Sequence, residues 1–441
     1  MAEIHPFPAI LFRPESGSDV TSFVAPPYDV IDSTARAVLR DRHPCNVVRL
    51  TLPEAPSASS GQAPLVRQLA DSGSPVGLRP EGQAPPGGDC YQEAARLFHE
   101  WLRSGVLQIL ETPALFMWEQ EFSLGDATYT RRALVAKVTC EPYRPGGVMR
   151  HEHTHAGPRA DRLRLFQATG AQFSQIFGIF EGDEDLAARL AEAGDQEPLQ
   201  TARGDDGHLS RLFCITNEET ISALQASLQE RTIIIADGHH RYETGVAYYR
   251  ELDHAGAALM TLVPSSDPGL VVLPTHRTVG FPIDGQALCR ALAGKFAVEI
   301  HPLESWPRLY QEAANDPDSG IILAVAPAAA QVFRIGWQDG NGSRAKPGKP
   351  GRELGDVVAL HERILPHLPG AGCLDTETFG YFHDAEEAVE AAKASGRWAF
   401  LLRPTPVEAL FQAAEQQEVL PPKSTYFYPK FLAGFVNARL D

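Results

Sequence analysis

Apolar and polar positions along the chain switch repeatedly between a period near two and a period near 3.6, and each switch marks an element. Ile4 to Phe12 is apolar enough for a strand, and Asp32-Ser33-Thr34 caps a helix through Leu39. Asn46 to Leu52 alternates as a strand does. Tyr91, Ala94, Ala95, Phe98, Trp101 and Leu102 recur at helical spacing and close at Ser104-Gly105. Ala114 to Ser123 and Tyr129 to Thr139 alternate on either side of Gly125-Asp126, which predicts a hairpin. Pro158 opens a helix with Leu163, Leu165 and Phe166 inward, Gln175 to Phe180 reads as a buried strand, and Leu209 to Thr216 as another. Asn217 caps a helix carrying Thr220 and Leu224. Arg231 to Asp237 is then a run of β-branched residues, hence a buried strand, and Tyr242, Val246 and Tyr249 follow at helical spacing after Gly238.

Beyond Ala257 to Pro264 and Leu270 to Leu273, both strand-like, the pattern begins afresh at Phe281. Helices are expected at Ala287 to Leu292, Val357 to Leu365 and Ala385 to Ala394, and strands at Ala297 to Ile300, Ile321 to Val325, Gln331 to Trp337 and Trp398 to Leu402. No internal repeat is strong enough to mean duplication. The mixture predicts an α+β chain with mixed sheets in three parts: 1–140, 141–280 and 281–441. Within the first part, residues 53–89 turn into Pro, Ser, Gly, Ala and Gln, a composition that buries too little apolar surface to offset its ordering entropy, so it reads as a surface insertion.

Composition adds limits. The chain has 441 residues, 43% apolar and 22% charged, enough for a sizeable core and two or three domains. Its formal charge of -17 opposes the phosphate attraction behind nucleic-acid binding and adhesion to anionic lipid, so neither partner is expected. The six cysteines, Cys45, Cys90, Cys140, Cys214, Cys289 and Cys373, stand far apart with no C-x-x-C pair, as free thiols of a reducing compartment do. Met-Ala-Glu-Ile-His-Pro-Phe shows no basic n-region or apolar h-region, and nowhere do about 18 apolar residues run together, so the expected location is cytoplasmic.

Four stretches carry candidate chemistry. In Asp237-Gly238-His239-His240-Arg241 a strand turns sharply into a helix. The first helical N–H groups have no intrahelical partner and lie at the positive end of the macrodipole, so the turn suits a phosphate, with Arg241 as counter-charge and Asp237 as a Mg²⁺ ligand or proton acceptor. An ordinary strand-to-helix junction with exposed polar groups has the same outline. His151-Glu152-His153-Thr154-His155 satisfies H-E-x-x-H, in which His151 and His155 would bind zinc and Glu152 activate water. Gly146-Gly147 before it and Gly157-Pro158 after it leave little room for the helix that chemistry needs, and Pro158 and Asp161 stand where the extended motif requires glycine and histidine. Ala25-Pro26-Pro27-Tyr28-Asp29 presents Tyr28 and Asp29 from a rigid extended segment, or is simply a rigid loop. Lys423-Ser424-Thr425-Tyr426-Phe427-Tyr428-Pro429-Lys430 could close over an anionic ligand or be a docked tail. Pro274-Thr275-His276-Arg277 is a further polar cluster at a strand end.

Taken together and in this order, Ala-Pro-Pro-Tyr-Asp-Val, His-Glu-x-Thr, Asp-Gly-His-His-Arg-Tyr and Lys-Ser-Thr-Tyr-Phe-Tyr-Pro-Lys resemble the bacterial and archaeal family catalogued as domain of unknown function 1015. The middle part is similar to free serine kinases of the ParB/sulfiredoxin-like superfamily. That resemblance implies a ParB/sulfiredoxin-like core within 141–280 and transfer of a phosphoryl group between ATP or ADP, with Mg²⁺, and a small hydroxyl metabolite such as serine. It implies Glu152 in the base role and Gly238, His239, His240 and Arg241 around the phosphate; with the reading of the residues themselves, the catalytic candidates are Glu152, Asp237 and His239, and the nucleotide-binding candidates Thr154, Gly238, His240, Arg241, Lys423, Ser424 and Thr425. The kinases place the strand almost directly before the glycine turn, whereas here Glu181 to Gln229 intervenes. A ParB-like nucleotide switch without metabolite chemistry and a metal-dependent hydrolase at His151, Glu152 and His155 are the alternatives.

Overall fold

The structure, a computed structural model, describes residues 2–54, 89–152, 156–182, 184–281, 283–316, 321–326, 328, 330–337, 355–370 and 378–440, apart from the side chains of 156–158 and 184. Most of the insertion expected at 53–89, together with Thr154 and His155, lies outside the described residues. The fold is mixed α+β, and it divides into two units, each drawn from separate stretches of chain: Met1–Met149 with Thr154–Leu270 and Pro429–Asp441, and Arg150–His153 with Val271–Tyr428.

In the first unit a nine-stranded sheet runs in the order Val148–Met149, Ile233–Asp237, Ile176–Phe180, Ala257–Pro264, Ala127–Thr139, Leu115–Leu124, Leu209–Ile215 and Gln200–Arg203, with Ile4–His5 paired on Ala127–Thr139. The Leu115–Leu124 and Ala127–Thr139 strands form the hairpin expected around Gly125, which has φ +59°. Alternate residues of these strands, including Leu115, Met117, Leu134, Ala136, Ile176, Ile233 and Ile235, pack against Phe166, Leu190, Leu224, Leu228, Tyr242 and Tyr249 of the covering helices. A Cβ on Gly178 would stand 2.8 Å from both Ile233 Cγ2 and Leu262 Cδ2, so the middle of the sheet requires glycine there.

The C-terminal tail completes this unit. Phe435 and Val436 are wholly buried, the Phe431 and Phe435 rings lie against Trp118, and Gln175 Nε2 donates to Val436 O at 2.7 Å. Arg131, also wholly buried, donates to Gln120 Oε1 and, at 2.5 Å, to Pro429 O, under the face of Phe431.

Two local expectations are corrected. Ile4 to Phe12 is not one strand: Pro6 and Pro8 remove ladder donors, and the chain divides into Ile4–His5 and Ile10–Phe12 with different partners. Asn46 to Leu52 contains the helical turn Val48–Thr51 instead of a strand, because buried Asn46 accepts from Val48 N and donates to the carbonyls of Ser22 and Val24, holding the backbone in a cap. The helix expected from Pro158 spans Ala156–Thr169.

In the second unit six strands pair antiparallel throughout, in the order Phe296–Pro302, Gln331–Trp337, Ile321–Ala326, Trp398–Leu401, His276–Val279 and Phe379–Phe382. Both faces are covered. Ile322, Ala324 and Phe333 pack toward Leu288, Leu292 and Leu360, while Leu323, Val325 and Val332 pack toward Leu309, Ala388 and Val389. Val271–Leu273 pairs separately with Tyr426–Tyr428. Among the described residues no helix is long and apolar enough to cross a membrane, and Cys45, Cys90, Cys140, Cys214 and Cys289 are free thiols.

Candidate functional site

The strand Ile233–Asp237 slips register by one residue between Ile235 and Asp237, a bulge that turns the last side chain out of the sheet's alternation. Gly238 follows at φ +90°, and the helix His239–Glu251 starts at once. The glycine is required twice over: by its left-handed backbone, and because a Cβ would stand 2.9 Å from Cζ and Nε of Arg241. Arg241 folds inward beneath the turn. It is 4% exposed, and its guanidinium donates to Ser174 Oγ at 2.8 Å, to Gln175 O and to Asp237 Oδ2 at 2.5 Å. Lys430 donates to the other oxygen of the same carboxylate, Asp237 Oδ1, at 2.9 Å. Burial alone would push the Arg241 guanidinium down, but Asp237, with Asp29 and Tyr28, outweighs it and holds the pKa above its ordinary value.

Tyr28 and Asp29 of the proline-rich motif belong to the same unit, in the short turn Tyr28–Val30. The Arg162 guanidinium lies 4.3 Å from the centre of the Tyr28 ring, donates to Thr51 O at 2.6 Å, and pairs with Asp161, which accepts from Tyr91 OH at 2.6 Å. Burial raises the Tyr28 hydroxyl to about 12, against the pull of Arg162, so this phenol stays protonated at neutral pH.

In the second unit the His-Glu pair and the loop before Tyr426 meet. His151 is 1% exposed and shares a 3.0 Å hydrogen bond between Nε2 and Thr425 Oγ1. Its carbonyl accepts from Leu420 N at 2.7 Å, and Glu152 pairs in parallel with Leu420 as an isolated bridge. Glu152 is thus extended, not helical as an H-E-x-x-H zinc site requires. Its Oε2 accepts from Lys423 N at 3.2 Å. Ser424 Oγ donates to Pro421 O at 2.5 Å, and Ser424 O accepts from Thr405 Oγ1 at 2.7 Å.

Glu152, Lys423, Ser424 and Thr425 therefore come together in one unit, and Asp237, Gly238, His239, His240 and Arg241 in the other. His239 is buried and His240 half-buried at the start of their helix. Asp237, named as a magnesium ligand, holds a cation on each carboxylate oxygen, and among the described residues no group of three or more His, Cys, Asp or Glu side chains could hold a metal ion. A Mg²⁺ ion taking Asp237 as a ligand would compete with Arg241 and Lys430 for that carboxylate.

A family model described as protein of unknown function DUF1015 matches residues 4–71 and 78–365. The chain belongs to the DUF1015 family. This DUF1015 chain matches no curated protein. Among solved structures it is similar to the free serine kinase in complex with AMP, at 14% identity and a TM-score of 0.33, covering 64% of this chain and 83% of that one. A mutant of the free serine kinase in complex with ADP gives 14% identity and a TM-score of 0.32 over the same shares. A conserved hypothetical protein from Pyrococcus furiosus gives 16% identity and a TM-score of 0.31, over 64% of this chain and 88% of that one.

The matched residues of this DUF1015 chain end at 365, ahead of the Lys423 loop and Lys430. Two residues of the assembled clusters stand outside the expected set. Lys430 is 193 positions from its partner Asp237, a pairing no local pattern reveals. Arg277 is wholly buried and donates from Nη2 to Pro422 O at 3.1 Å and Lys423 O at 2.8 Å. Its signal in the sequence was an arginine inside the polar cluster at a strand end.

Proposed function

We propose that the protein transfers a phosphoryl group between a nucleotide, ATP or ADP, and a small hydroxyl compound of the serine type. The observation that carries this reading is the turn at Gly238. There a left-handed glycine opens a helix whose positive end adjoins Asp237, with Arg241 and Lys430 on its two carboxylate oxygens. Phosphoryl transfer asks mainly for positioning and charge neutralisation, and a helix N-terminus with fixed cations offers both. In this reading the N–H groups of His239 and His240 meet the phosphate, His239 acts on the transferring group, and Lys430 neutralises charge. Arg241, spent on Ser174, Gln175 and Asp237, holds the turn in shape. No step is assigned to a metal at Asp237.

Glu152 takes the base role on the acceptor hydroxyl, and Lys423, Ser424 and Thr425 the ligand-binding role, as a separate claim tested in its own unit. A ParB/sulfiredoxin-like core within 141–280 is part of the same proposal. The experiment is a ³¹P NMR assay of ATP, ADP and phosphoserine against a panel of hydroxyl metabolites. Glu152→Gln is expected to keep nucleotide affinity and lower turnover by about 10²–10⁴-fold, the usual contribution of a general base. Unchanged turnover removes Glu152 from the mechanism. Nucleotide bound but returned unchanged with every acceptor replaces the kinase reading with a nucleotide switch.

A further inference from the structure

Within the second unit, the loop from Pro421 to Thr425 is tied down at every residue. Pro421 O accepts from Ser424 Oγ, Pro422 O and Lys423 O accept from Arg277 Nη2, Lys423 N donates to Glu152, Ser424 O accepts from Thr405, and Thr425 Oγ1 bonds His151. Amid these ties the Lys423 backbone sits at φ +56°, a left-handed conformation in which glycine or asparagine is at home and a long side chain is strained. Its side chain nevertheless points to solvent. A turn needing only its shape would be easier to form with glycine, so the lysine side chain is the feature that the loop's geometry leaves unexplained.

Arg277 is the other unusual member. It is wholly buried, and among the described residues its guanidinium donates to main-chain carbonyls, those of Thr275, Pro422 and Lys423, with the Tyr381 ring 5.3 Å away. Among the described residues no carboxylate pairs with it, and its Nε makes no hydrogen bond. Burial accordingly pulls it down to about 10. A buried cation without an acid is costly, and what this one secures is two consecutive carbonyls of the strained loop.

We propose that Arg277 is a positioning residue that locks the Pro422–Lys423 backbone, whose Lys423 N–H is held by Glu152, so that the exposed Lys423 ammonium meets the oxyanion of a bound ligand. The identity of the oxyanion as a phosphate rests on the phosphoryl-transfer reading.

The test uses the full chain with ADP, ATP, phosphoserine and inorganic phosphate as calorimetric probes, together with thermal melting and hydrogen exchange across residues 420–426. Lys423→Gly is expected to melt no lower than wild type, because strain is relieved, and to bind the phosphorylated probe about tenfold more weakly or worse. Stability kept while affinity falls is a split that a merely structural lysine would not produce. Arg277→Met is expected to speed exchange at the amides of 423–425 by about tenfold and to weaken the same probe as much as Lys423→Gly does, the double variant being no weaker than either single one. Arg277→Lys, which keeps the charge, should restore part of both; it also carries the exchange measurement should Arg277→Met fail to fold. Wild-type affinity in Lys423→Gly, or wild-type exchange without the Arg277 guanidinium, overturns the proposal and leaves the phosphoryl-transfer reading standing. If wild-type protein binds none of the probes, the phosphoryl-transfer reading falls, and this proposal falls with it.

Discussion

Two buried arginines hold the two candidate clusters in opposite ways. Arg241 lies in the first unit under a glycine turn, shares its charge with Asp237, and is held above the ordinary arginine range. Arg277 lies in the second unit under a lysine turn, meets carbonyls in place of a carboxylate, and is pulled down to about 10. The same guanidinium under similar burial shifts in opposite directions because, among the described residues, Arg241 has an acid beside it and Arg277 does not. The turns differ in parallel. Gly238 adopts φ +90° as glycine readily does, whereas Lys423 adopts φ +56° against its own β-carbon. The first cluster is built to be rigid, and the second keeps strain where a side chain is presented to solvent.

The comparison breaks most sharply at Arg241. Arg241→Met leaves the Asp237 carboxylate partly buried with Lys430 as its remaining cation, and stability is expected to fall by about 3–5 kcal/mol in a denaturant titration. A loss near zero would mean that the acid pairing contributes little. Gly238→Ala adds a methyl against the Arg241 guanidinium as well as left-handed strain, for an expected loss of about 3 kcal/mol and loss of nucleotide binding by calorimetry. Wild-type affinity in a folded Gly238→Ala variant would show that the turn holds no phosphate. Arg277→Met strands carbonyls and no carboxylate, so a smaller loss of about 2 kcal/mol is expected. A loss as large as that of Arg241→Met would erase the distinction between the two arginines.

The smallest effect concerns acid. Burial lowers His276 to about 3, against the pull of Asp384, and lowers His361 to about 4, with Arg277 acting in the same direction. Both belong to the second unit. Their folded pKa values lie below the unfolded value, so the stability they contribute is complete above about 6.5 and is lost as pH falls toward the folded values. Between pH 6 and pH 5 each should withdraw about 1 kcal/mol. The protection factors of amides in the strands His276–Val279 and Trp398–Leu401, which correct exchange for the fall of the intrinsic rate with pH, should drop over that step. Protection factors that are flat with pH would mean the histidines carry their protons in the folded state.

Much of the first cluster was legible in the sequence because its parts are neighbours in the chain. A β-branched run, one glycine and a helical spacing of aromatics define strand, turn and helix, and Gly238 is where the left-handed backbone falls. The cap at Asn217 and the hairpin at Gly125 were legible for the same reason, as local hydrogen bonds and turn geometry depend on a few adjacent residues. The alternation from Asn46 to Leu52 misled, since a period-two reading takes no account of a buried asparagine whose amide reaches Ser22 and Val24 and recasts the backbone as a helical turn.

By itself, then, the sequence determined most of the strands and helices, Ile4 to Phe12 and Asn46 to Leu52 excepted, that both types share one α+β chain, and that four polar stretches interrupt the apolar pattern at element ends. The tertiary structure decided how those stretches are used. It split the Lys423 to Lys430 stretch, so that Lys423–Tyr428 lies in one unit and Lys430 pairs with Asp237 in the other. It turned the Arg241 guanidinium inward and set buried Arg277 beneath a loop 145 positions away. Periodicity records which face of an element is buried, but not which partner is buried with it, because a salt bridge or a carbonyl contact depends on positions far apart in the chain that only packing brings within hydrogen-bond reach.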